Sequence, residues 1–291
     1  MLLSRIIIGP FITALSLIPL KAIRLMGVVL GQCLYFVPNR HKKITLINLG
    51  LAFPDLDDIE LLELCKKSLI ATCTTLLECG YVWKKLPGRK LPESISVEGF
   101  EGILKSIDEG KGLILFTPHQ ANIEILINYL GQKMDCSVPY SKFKNSYLDK
   151  FVRKARTKMG VNMVDANMSG VKKLLNNLGD GKTVVMASDQ VPDLPGGELS
   201  KFFGQDCLSI SLLWKLHHKT EAKMHSMVCI RCDEGNGFKI IFNPQIEMPP
   251  VIKEGVDKMN KELEKCIMLA PEQYAWEYKK YRRAGNENLY K

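Results

Sequence analysis

The segment between Gly112 and Glu124 constrains the fold more than any other, because an apolar run in it stops at a proline and a helical pattern begins directly afterwards. The run Leu113–Phe116 is short and uncharged, which is typical of a strand buried in a parallel sheet. His119 follows Pro118, and Glu124 lies about one turn into the next helix. Inside one continuous helix, residues five apart would point roughly 140° away from each other. The two side chains can therefore meet only if His119 lies in the loop, which Pro118 favours because it has no N–H to donate.

Strand-like and helical patterns alternate through the middle of the chain and predict an α/β fold with a mixed, mostly parallel central sheet flanked by helices. The predicted helices cover residues 57–85, 99–108, 122–130, 148–159, 171–178 and 255–268. The predicted strands are Ile95–Val97, Leu113–Phe116, Ser137–Tyr140 and Thr183–Ala187, with a hairpin of His225–Arg231 and Phe238–Phe242 around the turn 233–237. Such sheets carry their sites at the carboxyl ends of the strands. Because His119 and Asp189 both follow a buried strand directly, we expect both at that edge.

Two apolar stretches, Ile6–Leu20 and Leu25–Val37, characterise the N-terminal region. The first has fifteen residues without a charge, fewer than the ~20 that span a bilayer. No cleavage site precedes a polar segment, which argues against a cleaved signal peptide. We therefore expect an N-terminal hydrophobic membrane-anchor helix in residues 1–40 and an α/β domain in residues 41–291, with a buried helical hairpin as the alternative for the first segment. The basic side chains expected near anionic headgroups are Arg5, Lys21, Arg24, Arg40, Lys42 and Lys43.

The formal net charge of +9, with a pI near 9.0, predicts anionic partners. Nucleic acid, an anionic membrane surface, an acidic carrier protein and phosphorylated substrates all carry the matching sign. The nine cysteines are odd in number and irregularly spaced, which indicates reduced thiols in a domain that faces the cytoplasm. Cys229 and Cys232 form a lone CxxC beside a predicted strand, where alternation separates the two sulfurs, so we expect no zinc site there.

The chemistry that His119 suggests is base catalysis. A histidine base needs a carboxylate that fixes its tautomer and stabilises the imidazolium, and Glu124 supplies one. With a hydroxyl-bearing substrate, His119 would remove the proton while the oxygen attacks an acyl thioester. A capping or core histidine is the alternative interpretation. His-x-x-x-x-Glu differs from the His-Glu-x-x-His zinc motif and no third ligand is evident, so we expect no metal.

Four motifs, in order along nearly the whole chain, resemble one known family: the lipid A biosynthesis acyltransferases of Gram-negative bacteria, which include lauroyl and myristoyl transferases. The segment Thr117–Glu124 is close to the family's Thr-Pro-His-x-Gly-Asn-x-Glu. Together the ordered motifs are far more specific than a histidine and a glutamate alone. The other three matching motifs are Arg40 with Asn48-Leu49 and Phe53-Pro54, then Ser188–Gln190 with Phe202–Gly204, and finally Pro271–Trp276 with Arg282-Arg283.

The resemblance implies transfer of a fatty acyl chain from acyl carrier protein to a hydroxyl of a Kdo-bearing lipid A precursor, in the lauroyl-type late acylation of lipopolysaccharide biosynthesis. It implies an acyltransferase domain of the lysophospholipid-acyltransferase-like superfamily in residues 41–291, at the inner membrane and facing the cytoplasm. No nucleic acid is expected, and no cofactor other than the carrier thioester. His119 and Glu124 would be the catalytic pair. The residues implied in substrate binding are Arg156, Asp189, Arg153, Asn122 and Gln190.

The implied substrate-binding residues have stated roles. Arg156, or Arg153 in its place, would hold a phosphate or a Kdo carboxylate bidentately. Asp189 would orient that arginine or the glucosamine. The structural alternative for Arg156 is a place on a solvated basic helix face, and that for Asp189 is a place in a turn at the end of a strand. Phe202 and Phe203 would either line the acyl cleft or pack in the core.

Ala121 departs from the family pattern, which commonly has glycine at this position. We expect its methyl group to narrow the approach to the thioester without abolishing activity. Glu124, together with Asn122, favours the lauroyl-type branch, because the myristoyl branch often carries aspartate as the acid. Two other functions remain open at this point. The same pair of residues serves glycerolipid and phosphatidylinositol mannoside acylation, and a membrane protein that binds anionic lipid without catalysis is less favoured.

Overall fold

The fold is organised by a seven-stranded sheet in which every neighbouring pair of strands but one is parallel. The computed structural model describes residues 2–90, 92–193, 196–232, 237–283, 285 and 288–291, with side chains from residue 8 onward. The strands of the sheet are β1 (Ile95–Glu98), β2 (Leu113–Thr117), β3 (Cys136–Tyr140), β4 (Asn162–Asp165), β5 (Thr183–Ala187), β8 (Lys223–Arg231) and β9 (Phe238–Gln245). Their order is β1-β9-β8-β2-β5-β3-β4. Only β8 and β9 pair antiparallel within this sheet, and a separate antiparallel hairpin consists of β6 (Gly197–Phe202) and β7 (Gln205–Ile210).

Helices cover both faces of the sheet, and other helices precede its first strand in the chain. A short 3-10 helix, Pro271–Gln273, follows the last α-helix. The α-helices are α1 (Leu2–Leu17), α2 (Leu20–Phe36), α3 (Arg40–Ala52), α4 (Asp58–Lys85), α5 (Phe100–Asp108), α6 (Ile123–Lys133), α7 (Ser146–Lys158), α8 (Met168–Gly179), α9 (Leu212–Thr220) and α10 (Ile252–Met268).

Strand β2 buries both of its faces, as its uninterrupted apolar run predicts. Ile114 and Phe116 enter one core together with residues of α8, α9 and α10. Leu113 and Leu115 enter a second core together with residues of α5 and α6. The α/β fold with a mostly parallel central sheet flanked by helices is therefore confirmed.

The predicted strands and helices of the middle section are confirmed, with ends that shift by a few residues. The predicted hairpin is the pair β8–β9, and its turn residues 233–236 lie outside the described residues. In this section of the described chain, three features were not predicted: β4, helix α9 and the hairpin β6–β7; helix α3, which precedes the section, was not predicted either. Strand β4 has four residues of which only Val164 is buried, so it carries little apolar pattern.

Glycines bring the second N-terminal helix close to α4. An added Cβ at Gly27 would lie 2.6 Å from Cα of Thr74, and one at Gly31 would lie 2.3 Å from Cα of Ile70. Small residues four positions apart on one helix face allow two helix backbones to approach in this way. The region expected to be an anchor is thus packed along one side against the rest of the protein.

Among the described residues, no single helix is both long and apolar enough to cross a bilayer. The helices α2 and α3 reach the necessary length and apolarity only together, with a bend of 87° between them. A shorter apolar helix covers Ile8–Leu17 within α1.

Arg24 lies on the packed side of α2, contrary to its expected place near lipid headgroups. Its Nε donates to Glu78 at 2.7 Å, and its other two nitrogens donate to backbone carbonyls next to β8 and β9 at 3.2 and 3.0 Å. The reason is helical spacing: Arg24, Gly27 and Gly31 fall on one face, and the glycines turn that face towards α4.

Candidate active site

His119 and Asp189 meet at the carboxyl ends of two neighbouring strands. Strands β2 and β5 run parallel with Thr117 opposite Ala187, so the residues two positions further along each chain become neighbours. Nδ1 of His119 lies 2.6 Å from Oδ1 of Asp189, and the backbone N–H of His119 donates to Oδ2 at 2.9 Å. The carboxylate thus holds the tautomer in which Nδ1 carries the proton and Nε2 is able to accept one. The predicted loop position of His119 is confirmed.

The charges of this pair shift both pKa values. Burial lowers the pKa of His119, but the Asp189 charge and hydrogen bond outweigh it and raise that pKa above its ordinary value. Burial raises the pKa of Asp189, but His119 outweighs it and the net pKa lies below the usual range. The His119 side chain is 30% exposed, whereas that of Asp189 is 3% exposed. His119 is therefore the accessible member of the pair, and the Asp189 carboxylate is buried behind it.

Glu124 binds Arg156 rather than His119. Nε of Arg156 donates to Oε2 of Glu124 at 3.0 Å, and Nη2 donates to Oε1 at 2.6 Å. Burial lowers the pKa of Arg156, but the Glu124 carboxylate outweighs it and raises that pKa. From the sequence, we expect Glu124 to contact His119 and Asp189 to orient an arginine. In the structure the two carboxylates have exchanged partners: Asp189 contacts His119, and Glu124 contacts Arg156. The parallel pairing of β2 with β5 causes this exchange, because it places Asp189 beside the loop of His119.

The remaining predicted substrate-binding residues occupy three different environments. Arg153 pairs with Asp165 at 2.5 Å, and it is Arg156 rather than Arg153 that lines the cavity described below. Asn122 is buried and caps α6, because its Oδ1 accepts from the N–H of Glu124 at 3.2 Å. Gln190 places its amide nitrogen 3.4 Å from Nε2 of His119.

A cavity of about 1080 Å³ opens beside His119. Its inner wall is apolar and comes from α6, β3, β5 and α8, whereas exposed polar residues form its rim. Such a shape suits a fatty chain whose carbonyl end lies at the histidine. Within the described part of the chain, no three His, Cys, Asp or Glu side chains lie close enough together to hold a metal ion. The inner wall includes Ile123, Leu126, Ile127, Val138, Leu174 and Val185, and the polar lining includes His119, Arg156, Gln190, Lys215 and Arg282.

Comparison with known proteins identifies the family. Residues 5–283 match the profile described as bacterial lipid A biosynthesis acyltransferase. The chain belongs to this family. It is similar to the lipid A biosynthesis lauroyltransferase of Escherichia coli (strain K12), with 26% identity over 272 residues that cover 91% of this chain and 87% of that protein.

Two further relatives agree with the family assignment. The lipid A biosynthesis palmitoleoyltransferase of the same strain is 22% identical over 277 residues, which cover 94% of this chain and 90% of the relative. The lipid A biosynthesis acyltransferase of Haemophilus influenzae is 22% identical over 284 residues, which cover 96% and 88% of the two chains. The family predicted from the four motifs is confirmed, and acyl transfer is the reaction that the relatives support.

In this lipid A acyltransferase family member, the departure at Ala121 has a conformational meaning. Ala121 has a φ of 45°, in the left-handed region, and its N–H donates to the carbonyl of Gln273 at 2.8 Å. That backbone costs an L-residue about 1–2 kcal/mol, whereas glycine adopts it freely. The glycine common in the family is thus explained by the backbone. Ala121 is not among the residues that line the cavity, and the expected narrowing of the thioester approach stays a prediction.

The C-terminal motif of the family holds the loop that carries His119 in place. The N–H of Ala275 donates to the carbonyl of His119 at 3.1 Å, and the amide of Gln120 donates to the carbonyl of Ala270 at 2.9 Å. The indole N–H of Trp276 donates to the carbonyl of Pro271 at 2.7 Å and closes the motif on itself. The motif therefore fixes the backbone around His119.

The other family motifs pack around this C-terminal segment. Asn48 is buried and donates to the carbonyl of Trp276 at 2.6 Å. The rings of Phe53, Phe203 and Trp276 contact one another with centroids 5.5–5.6 Å apart. Phe202 is 1% exposed, and neither phenylalanine lines the cavity. Of the two roles open for Phe202 and Phe203, core packing is the correct one.

A buried ion-pair network that the sequence did not predict lies behind the site. The Glu78 carboxylate is fully buried and accepts from Arg24 and, at 3.0 and 2.9 Å, from Arg231. Burial raises the pKa of Glu78, but the two guanidinium groups outweigh it and lower that pKa. The amide of Asn122 lies 3.4 Å from Oε2 of Glu78, so the network contacts the cap of the helix that carries Glu124. The available signal was Arg24, a charged residue between the two apolar stretches of the N-terminal region.

Proposed function

We propose that this protein transfers a fatty acyl chain from the thioester of acyl carrier protein to a hydroxyl of a Kdo-bearing lipid A precursor, as a lauroyl-type late acylation. The observation that carries the proposal is the geometry of His119. One ring nitrogen is held by Asp189, and the residue lines a largely apolar cavity. The family and a lauroyltransferase relative supply the substrate class.

The proposed step is one general-base acyl transfer. Nε2 of His119 accepts the proton of the acceptor hydroxyl while the hydroxyl oxygen attacks the thioester carbonyl carbon. The tetrahedral intermediate then collapses, the C–S bond breaks, and the thiolate leaves with the proton from the imidazolium. The products are the new ester and the free thiol of the carrier. Asp189 stabilises the imidazolium between the two proton transfers.

Glu124 contributes to this step through Arg156. The two-point ion pair fixes the guanidinium at the cavity wall, and the arginine is close enough to His119 to offset part of the rise in its pKa. There it stabilises the negative charge that develops on the thioester oxygen. We expect Glu124→Gln to lower kcat about 10-fold to 10²-fold by releasing Arg156, and because Arg156 lowers the pKa of His119, its release should not move the acid limb of the pH profile to lower pH. An acid limb that moves to lower pH would contradict this role and favour direct contact between Glu124 and the histidine.

Membrane attachment through the N-terminal helices is a further part of the proposal. Their outer faces expose large apolar side chains while their inner faces pack on α4. This pattern supports attachment at the inner membrane, with residues 41–291 facing the cytoplasm. We expect the double variant Leu25→Glu and Val29→Glu to lose sedimentation with anionic vesicles. Leu104→Glu, at an exposed position on α5, serves as the control; equal binding of both variants would contradict the attachment.

Acyl transfer from lauroyl-loaded carrier protein to a Kdo-bearing lipid A precursor tests the function. Wild type should form the ester, and His119→Ala should not. Transfer to a lysophospholipid or a phosphatidylinositol mannoside instead would overturn the acceptor. Binding of anionic lipid without transfer to any acceptor would overturn catalysis itself.

A further inference from the structure

Most charged side chains that line the cavity are neutralised by a neighbour. Asp193 pairs with Arg283 at 3.0 Å, as Asp165 does with Arg153. Arg156 is likewise neutralised, because two of its nitrogens are bound to a buried carboxylate. Glu124 occupies two of the five N–H groups of Arg156 and balances its charge, so Arg156 attracts a second anion less strongly than an unpaired cation does. A cation without a carboxylate partner suits the anion-binding role that the sequence suggests for Arg156 better.

Lys215 and Arg282 are the lining cations that lack such a neighbour. Both side chains are exposed, and no carboxylate of the described residues lies within ion-pair distance of either. The Arg282 guanidinium stacks over the ring of Tyr278 at 5.1 Å and donates to the carbonyl of Val191 at 3.5 Å. Stacking holds its plane while most of its N–H groups stay available.

Lys215 lies in the first turn of α9, which begins at the same rim. The hydroxyl of Ser211, at the N-cap position, donates to the carbonyl of Gly196 at 3.1 Å instead of capping the helix. Ser211 and Leu212 line the cavity together with Lys215. The partial positive charge of this helix end adds to the charge of the lysine.

The position of Arg282 connects this rim to the catalytic histidine. Val191, to which Arg282 donates, is two residues beyond Asp189, and Gln190 between them lies beside Nε2 of His119. An anionic group bound by Arg282 would therefore lie in the same cavity as the histidine.

We propose that Lys215 and Arg282 form an oxyanion-binding site that holds a phosphate or carboxylate of a substrate at the cavity rim. The inference rests on the proposed acyl transfer and assigns the anionic group of that reaction to two residues. The group is a phosphate of the acceptor, a sugar-acid carboxylate of the acceptor, or the phosphate of the carrier's pantetheine arm. All three share the chemistry that a lysine and a planar guanidinium recognise.

Steady-state kinetics of the full-length protein test the site with Lys215→Gln and Arg282→Gln. We expect each substitution to raise KM for the substrate that carries the anion about 10-fold, because a hydrogen bond to a charged group is lost, with kcat changed less than about twofold. Lys219→Gln is the matched control, since Lys219 is exposed on the same helix but does not line the cavity. Lys215→Arg should keep the wild-type KM, which separates loss of charge from a folding defect.

Three arms identify the anion. KM is measured for the intact acceptor, for acceptors that lack either the phosphates or the sugar acid, and for the loaded carrier. If wild type and the glutamine variants have equal KM values for an acceptor that lacks the phosphates or the sugar acid, the missing group is the anion that the site binds. If the variants instead raise KM for the loaded carrier, the site binds the phosphate of the carrier's pantetheine arm. If wild type transfers the acyl chain and the variants match it in every arm, the anion site is overturned while the proposed function stands. If wild type transfers to none of these acceptors, the proposed function fails and the site fails with it.

Discussion

The pair His119–Asp189 and the cluster Arg24–Glu78–Arg231 are two charge arrangements of one protein with opposite properties. The first leaves its histidine partly open to the cavity, and a histidine exchanges a proton near neutral pH. The second is buried, and its cations are arginines, which stay charged at any physiological pH. Burial of charge alone therefore does not indicate catalysis. What distinguishes the proposed reactive pair is a titratable member that is open to the cavity.

The largest expected effect comes from removing the titratable member. His119→Ala should lower kcat about 10³-fold to 10⁴-fold, because no other described group can take the hydroxyl proton at that point. Single-turnover acyl transfer measures the change. His218→Ala, on the exposed side of α9, is the control and should leave kcat unchanged. A decrease in kcat of less than tenfold for His119→Ala would show that His119 is not the group that takes the hydroxyl proton.

Breaking the buried cluster should affect stability instead of chemistry. Arg231→Met leaves Glu78 with one guanidinium partner and should reduce the free energy of unfolding by about 3–5 kcal/mol. Urea denaturation measures this change, and the fraction that remains folded should keep its kcat. Lys239→Met, which breaks an exposed pair with Glu98, should cost less than about 1 kcal/mol. Equal losses in the free energy of unfolding for both variants would show that the buried cluster stabilises the protein no more than an exposed ion pair does.

The carboxylate behind the histidine should control the pH at which the reactive pair works. The raised pKa of His119 keeps the imidazole protonated to higher pH, so activity should increase as pH rises through that pKa. Asp189→Asn removes the charge that raises it, so the acid limb of the kcat/KM profile should move to lower pH. The variant should also lose about 10²-fold in kcat, because the tautomer is no longer fixed. An acid limb at an unchanged pH would mean that another group titrates.

Part of this arrangement was predictable from the sequence. The buried strand before His119, the strand-end position of Asp189 and the family followed from apolar runs, proline and ordered motifs. The partner of His119 did not, because partners depend on which strands are neighbours, and β2 lies next to β5 although α6, β3, α7, β4 and α8 separate them along the chain. Arg24 was misplaced because hydropathy does not report which side of a helix packs.

The smallest expected effect sharpens the role of the loop that carries the histidine. Ala121→Gly should raise the free energy of unfolding by about 0.5–1 kcal/mol, because relief of the left-handed backbone exceeds the added chain entropy of glycine. The same chemical change at the helical position Ala155 should lower it by about 1 kcal/mol. Thermal unfolding of both variants measures the opposite signs. A loss of stability at Ala121 would mean that its methyl group is needed for packing.

The hold of the C-terminal motif on the histidine loop also orders events during synthesis. The carbonyl of His119 and the N–H of Ala121 are bonded to a segment that leaves the ribosome about 150 residues later. The N-terminal helices are therefore available to a membrane well before the catalytic loop can take its final shape. A chain that ends before Pro271 contains His119 and Asp189 but lacks the hydrogen bonds that hold the loop of His119 in place. We therefore expect no acyl transfer from chains that end before Pro271.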